Sequence, residues 1–168
     1  TISYLVDVYR GTIPAERSFG LYAVYISFFP KVMQGPIERG EKLLPQLNRP
    51  KPFRYKQASY GMKLMAWGYF KKLVLADGLS VYVSQVYDNL SSYTGFALVL
   101  ATFFFAIQLY CDFSGYTDIA LGSAKILGIN LTQNFRAPYF ASSIKDFWGR
   151  WHISLSSWLR DYVYIPLG

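Results

Sequence analysis

One cysteine, one histidine and few charges set the first limits on this chain of 168 residues. The lone thiol, Cys111, cannot close an internal disulfide, and one histidine, His152, leaves no Cys/His cluster for a structural metal. The chain contains no Walker loop, no GxGxxG and no HExxH, so nothing in it points to nucleotide or zinc chemistry. A Ser/His/Asp triad has no GxSxG-type nucleophile motif to start from. Charged residues make up 16% of the chain, against about 25% in an ordinary soluble domain. Acids are missing altogether between Lys42 and Lys72, where eight lysines and arginines fall. No internal repeat is visible.

What is there is apolar. Hydrophobic residues reach 52% and aromatics 19%. From Asn89 to Cys111 run 23 residues without a charge, bracketed by Asp88 and Asp112, and Phe96 to Leu109 is nearly continuous Leu, Val, Ala, Phe and Ile. About 20 such residues cross the hydrocarbon core of a bilayer, so this run is expected to be a membrane span. Net charge is +7, concentrated in the acid-free Lys42–Lys72 stretch. Beside a span, such a stretch reads as a cytoplasmic loop and interfacial helix following the positive-inside bias, in contact with lipid headgroups, and not as a nucleic-acid surface.

Taken in order, Thr1 to Tyr9 looks like the end of an apolar helix that surfaces at Arg10-Gly11. Ser18 to Phe29 is uncharged but too short to span alone, which suits a re-entrant or partly buried helix. Four prolines between Lys31 and Phe53 forbid one long helix, leaving loops and a short helix around Glu41 to Leu47. Gln57 to Leu79 is helical in pattern, with Tyr60, Leu64, Trp67 and Val74 on one face. Its lysines Lys63, Lys71 and Lys72 either extend to the headgroups or are buried in a bundle, the first being commoner. Asp112 to Lys125 is rich in small residues, Ser114, Gly115, Ala120, Gly122 and Ala124, that let helices approach closely. Asp112 and Asp118 either pair or line a wet cavity at membrane depth, or sit at headgroup level. Asn130 to Ala141 is a turn-rich connection. The chain opens without an initiator methionine and in mid-pattern, and it is read as an internal piece of a longer protein.

The last stretch holds three of the four tryptophans and His152. Read as one helix, Ile144 to Tyr162 puts Ile144, Trp148, Trp151, Leu155, Trp158, Leu159 and Tyr162 on one face and Asp146, Arg150, Ser157 and Asp161 on the other. His152 falls at the margin of the apolar face. Asp146 precedes Arg150 by four residues, the favourable order for an ion pair. The imidazole has two readings. It is either a buried, hydrogen-bonded structural histidine or a proton-transfer group that desolvation keeps neutral near pH 7.

Four stretches resemble the membrane-bound O-acyltransferase superfamily, in its bacterial branch of alginate O-acetylation and D-alanyl-teichoic acid transfer. They are Ile2 to Gly11, Phe28 to Leu47, Tyr110 to Phe140 (YCDFSGYTDIALGSAKILGINLTQNFRAPYF) and Asp146 to Gly168 (DFWGRWHISLSSWLRDYVYIPLG). The resemblance implies an all-α, polytopic membrane bundle with re-entrant and interfacial helices, of which residues 1–168 are a central portion truncated at both ends. It implies transfer of an acyl group, acetyl for choice, from a cytoplasmic thioester (acetyl-CoA or an acyl carrier protein) to hydroxyls of an exported polysaccharide. No bound cofactor and no metal are implied. The setting is the bacterial inner membrane, with lipid, the acyl donor, the extracytoplasmic acceptor and periplasmic acetylation proteins as partners.

His152 matches the family position that holds His, Asn or Asp and works with a second histidine further on. No histidine follows His152 here, so the piece alone is expected to be inactive. Residues expected to line or support the site are Asp112, Ser114, Tyr116, Asp118, Asn134, Trp148, Arg150, Trp151, Ser154, Arg160 and Asp161. On helical patterning alone, Arg150 and Asp161 would be structural ion-pair members instead. Two alternatives stand beside O-acetylation: D-alanyl transfer to teichoic acid, and a non-enzymatic transporter subunit in which Asp112, Asp118 and His152 line a polar path.

Overall fold

The computed structural model describes residues 1–32 and 34–168, and among these the regular structure is helical, with no strand. Three short helices, α1 (Ile2–Tyr9), α2 (Phe19–Ser27) and α3 (Phe29–Val32), are followed by α4 (Gly40–Leu47). Helix α5 (Tyr55–Tyr69) runs through a π-helical segment (Phe70–Ala76) into α6 (Asp77–Tyr87) without a break. After a single 3₁₀ turn (Leu90–Ser92) comes α7 (Phe96–Ile126), the one helix among the described residues long and apolar enough to cross a membrane.

Helix α7 corrects the expected span. Asn89 to Tyr93 lie outside it, because the backbone turns at Gly95, whose φ of +53° suits glycine. At the other end the helix does not stop at Asp112 but runs on to Ile126. Its 31 residues extend about 46 Å at 1.5 Å per residue, longer than a bilayer core of about 30 Å. Asp112 and Asp118 are tolerated within it because lysines of the neighbouring helix meet them: Lys72 Nζ lies 2.8 Å from Asp112 and Lys71 Nζ 2.7 Å from Asp118. Lys71 is therefore buried in the helix pair, the less common of the two readings of these lysines.

The α5–π–α6 rod packs antiparallel against α7, and glycine sets the distance. A Cβ placed on Gly61 would lie 2.6 Å from the Gly122 carbonyl oxygen, and one on Gly68 would lie 2.6 Å from that of Gly115. The two glycines of each helix are seven residues apart, so both close approaches fall on the same seam. Outward from this seam, Trp67, Phe70, Leu73 and Val74 on the rod and Phe96, Val99, Phe103 and Leu109 on α7 are exposed. An apolar surface of this kind suits lipid or other membrane helices.

A second layer gathers α1, α2 and α4 over the C-terminal end of α7. Its core is Tyr4, Ile13, Tyr25, Phe28, Leu43 and Leu44 with Ala124 and Ile129. After α7 the chain runs without regular structure to a 3₁₀ turn (Pro138–Phe140), then to α8 (Ile144–Arg150) and α9 (Ile153–Leu159). A second π-helical segment (Arg160–Tyr164) leads to the final turn α10 (Ile165–Leu167).

The expected single helix from Ile144 to Tyr162 is thus broken at Trp151-His152. His152 has φ +43° and ψ +54°, a left-handed backbone that ends one helix and begins the next. The reason lies outside the segment. The Arg136 N–H donates to the Arg150 carbonyl (3.0 Å) and the Ile153 N–H donates to the Asn134 carbonyl (3.0 Å). A continuous helix would have used both the Arg150 carbonyl and the Ile153 amide within itself.

Candidate active site

The break places His152 at one side of an aromatic-walled groove of about 540 Å³, lined by Trp148, Trp151, Leu155, Ser156, Leu159, Arg160 and Tyr164 as well. Trp148, Trp151, Leu155 and Leu159 share this groove, as the one-helix reading expected. Trp158 and Tyr162 do not. Trp158 lines a different cavity, with Tyr25 and Lys31, and Tyr162 donates its hydroxyl to buried Asp7 of α1 at 2.7 Å. The kink thus divides the expected apolar face, keeping Leu155 and Leu159 with Trp148 and Trp151 and sending Trp158 and Tyr162 elsewhere.

The imidazole meets the Phe113 ring edge-on, with centroids 4.7 Å apart and planes at 90°. Phe113 and Trp151 both pack on Phe135, and Trp151 lies parallel to Phe147. This aromatic environment removes water from one side of the imidazole, and burial lowers its pKa below the ordinary histidine value. Among the described residues no hydrogen bond reaches either ring nitrogen. The half-buried imidazole faces a groove large enough for a small molecule.

The remaining expected residues fall into separate places. Ser114, Asp118 and Asn134 line a cavity of about 370 Å³ with Lys71, Tyr110 and Trp67. There Lys71 binds Asp118 and donates to Ser114 Oγ at 2.9 Å. Ser154, Arg160 and Asp161 line a smaller, polar cavity of about 190 Å³ with Glu38, Arg39 and Lys42. Asp112 and Tyr116 line none of these three: Asp112 is bound to Lys72, whose ammonium also faces the Tyr116 ring at 5.7 Å. Arg150 is bonded to Asp146 (2.8 Å) and Asp161 to Arg39 and Arg160, so both are ion-pair members, as patterning alone indicated. The two carboxylates of a transporter-like path are paired with lysines, in contacts that do not include His152.

Residues that sequence reasoning missed hold this arrangement together. Ser154 Oγ accepts from the Ile37 N–H at 2.9 Å, Glu38 accepts from the Thr132 N–H, and Arg39 pairs with Asp161. The 37–39 segment, the 132–136 segment and the kink therefore form one hydrogen-bonded scaffold. No local signal finds such contacts, since the partners lie 94 to 122 residues apart. The only hint was that these stretches coincide with the motifs of the resemblance. Lys71 carried a signal of its own: a lysine in an apolar helical pattern needs a partner.

The kinked aromatic helix pair thus sets a half-buried histidine against the long apolar helix, through Phe113. The chain belongs to the membrane-bound O-acyltransferase family, whose family model matches residues 16–168. It is 41% identical over all 168 residues to a probable alginate O-acetylase of Pseudomonas putida, covering 34% of that protein. It is 38% identical over 149 residues, 88% of this chain and 28% of the relative, to a peptidoglycan O-acetyltransferase of Helicobacter pylori. A teichoic acid D-alanyltransferase of Bacillus subtilis is 32% identical over 166 residues, 98% of this chain and 42% of that one. The chain spans about a third of the length of the first of these relatives.

Proposed function

We propose that the full-length gene product is a multi-pass O-acyltransferase of the bacterial inner membrane that moves an acetyl group from a thioester donor to hydroxyls of an exported polysaccharide. The observation that carries this reading is His152, neutral, half-buried and set by a left-handed backbone at the wall of the Trp148/Trp151 groove. The donor is acetyl-CoA or an acyl carrier protein reached from the cytoplasm, the acceptor polysaccharide lies outside, and periplasmic acetylation proteins are its partners. Neither a metal nor a prosthetic group has a part in this reading.

The chemistry needs little more than a base and a dry site. An acceptor hydroxyl gives its proton to an imidazole nitrogen as its oxygen attacks the thioester carbonyl. The tetrahedral intermediate collapses with loss of the C–S bond, and the leaving thiolate takes the proton from the imidazolium. Since the acceptor oxygen attacks directly, no enzyme nucleophile is required, in keeping with the missing GxSxG. In the family, a second histidine shares this work, and His152 then orients or polarises the acceptor or that partner.

D-alanyl transfer to teichoic acid is the second reading, supported by the Bacillus subtilis relative, and the higher identity to the alginate O-acetylase favours acetyl transfer. The test is transfer in membrane vesicles of the full-length protein, supplied with labelled acetyl-CoA. Label in polysaccharide that disappears in His152→Ala supports the reading. Transfer that proceeds normally in His152→Ala makes the histidine structural, and transfer from a D-alanyl carrier but not from acetyl-CoA selects the second reading.

A further inference from the structure

A left-handed backbone at a residue other than glycine costs about 1–2 kcal/mol and persists only where its surroundings impose it. Among the described residues two non-glycine positions have positive φ, Ala137 and His152. Both lie beside the same contact, the hydrogen-bonded approach of residues 134–136 to residues 150–154.

His152 stands at the N-cap of α9, where a side chain ordinarily accepts from the first free amides of the helix. Its imidazole makes no such bond. The amides are taken instead by Asn134, 18 residues earlier in the chain. The Asn134 carbonyl accepts from the Ile153 N–H at 3.0 Å, and Asn134 Oδ1 accepts from the Ser154 N–H at 3.2 Å. Asn134 is fully buried and Ser154 nearly so, so the Ser154 amide has no water as an alternative. The Ser154 amide also fixes the orientation of the Asn134 side chain, because only oxygen can accept there.

We propose that Asn134 is a positioning residue for His152: it caps α9 from outside, holds the left-handed turn and so frees the imidazole to face the groove. With no hydrogen bond on its ring nitrogens among the described residues, the imidazole takes its direction from its backbone and from the Phe113 ring. Loosening the backbone therefore moves the ring. Among the described residues Asn134 Nδ2 is buried without a partner, so the side chain acts through its oxygen. Asn134→Asp keeps that oxygen, in a cavity that the Lys71 ammonium also lines. The proposal rests on the acyl-transfer reading for its kinetic part only.

The experiment uses the full-length protein in vesicles and compares wild type, Asn134→Ala, Asn134→Asp, His152→Ala and the Asn134→Ala/His152→Ala double variant. Asn134→Ala is expected to lose about ten- to a hundredfold in kcat, as for one buried hydrogen bond, with KM for donor and acceptor unchanged. Asn134→Asp is expected to stay within about threefold of wild type, a loss smaller than a missing hydrogen bond gives. The double variant is expected to be no slower than His152→Ala, because the two act as a unit. Losses that multiply, or full kcat in Asn134→Ala, overturn the proposal.

A second readout does not need turnover: the rate at which diethyl pyrocarbonate modifies His152, read by mass spectrometry of its peptide. A changed rate in Asn134→Ala with a wild-type rate in Asn134→Asp supports positioning, even where no acyl transfer is seen and the acyl-transfer reading has failed. Equal rates in all three overturn it. If Asn134→Ala is not recovered folded, Asn134→Gln, which displaces the same oxygen by one methylene, takes its place with the same expectations.

Discussion

Gly61 and Gly122 face each other so closely that a Cβ on Gly61 would stand 2.6 Å from the Gly122 carbonyl oxygen and one on Gly122 2.5 Å from that of Gly61. Backbone meets backbone here, and neither side can yield as a flexible side chain would. The approach also sets the reach of Lys71 and Lys72 to the α7 carboxylates, because Gly115, the next contact on the seam, lies against the Lys72 backbone. Gly61→Ala or Gly122→Ala is therefore expected to cost about 1–3 kcal/mol or more, read as a lower melting midpoint in detergent. Gly78→Ala, in the same rod with open space around it, is expected to be neutral or slightly stabilising.

The Lys71–Asp118 pair should behave as a buried one. Lys71→Met leaves a carboxylate in an apolar helix pair and is expected to cost about 3–5 kcal/mol. Lys71→Met combined with Asp118→Leu removes both charges and is expected to cost less than either change alone. Thermal midpoints of the three variants measure this, and a double variant worse than both single ones would contradict it.

The Asp146–Arg150 pair is the contrasting case. It joins neighbouring turns of α8 at the surface, where the chosen geometry is offset by solvent. Asp146→Asn is expected to leave the melting midpoint unchanged within error, at low and at high salt.

His152 gives a pH signature. Burial lowers its pKa, so the folded protein keeps the imidazole neutral at pH values where the unfolded chain has begun to protonate. The acid limb of the acyl-transfer profile is expected to lie below the ordinary histidine value of about 6.5. The unfolded state binds more protons in that window, so stability falls as pH drops through the unfolded pKa and levels off below the folded one. His152→Phe should flatten that part of the stability profile, measured by denaturant titration from pH 5 to 8.

Periodicity made most helices legible. α1, α2, α4 and the α5 rod fall where apolar spacing and prolines put them, and the small residues of Asp112 to Lys125 do lie in a close helix contact. The ends of α7 were not legible. A charge normally closes a span, and Asp112 fails to do so because a lysine 40 residues earlier in the chain meets it. The kink at His152 was hidden for a similar reason. Trp148, Trp151, Leu155 and Leu159 carry a helical pattern through the break, and the hydrogen bonds that impose it come from Asn134 and Arg136.

By itself, then, the sequence determined the helical class, the membrane-compatible apolar run, the acid-free basic stretch and the motifs of the family, all of which depend on composition and near-neighbour spacing. Only the tertiary structure decided which charges are paired, that α7 runs on past Asp112, and that His152 sits in a left-handed turn. Those features depend on groups brought together from 18 to more than 100 residues away. Each is settled by the cost of leaving a buried amide or charge without a partner.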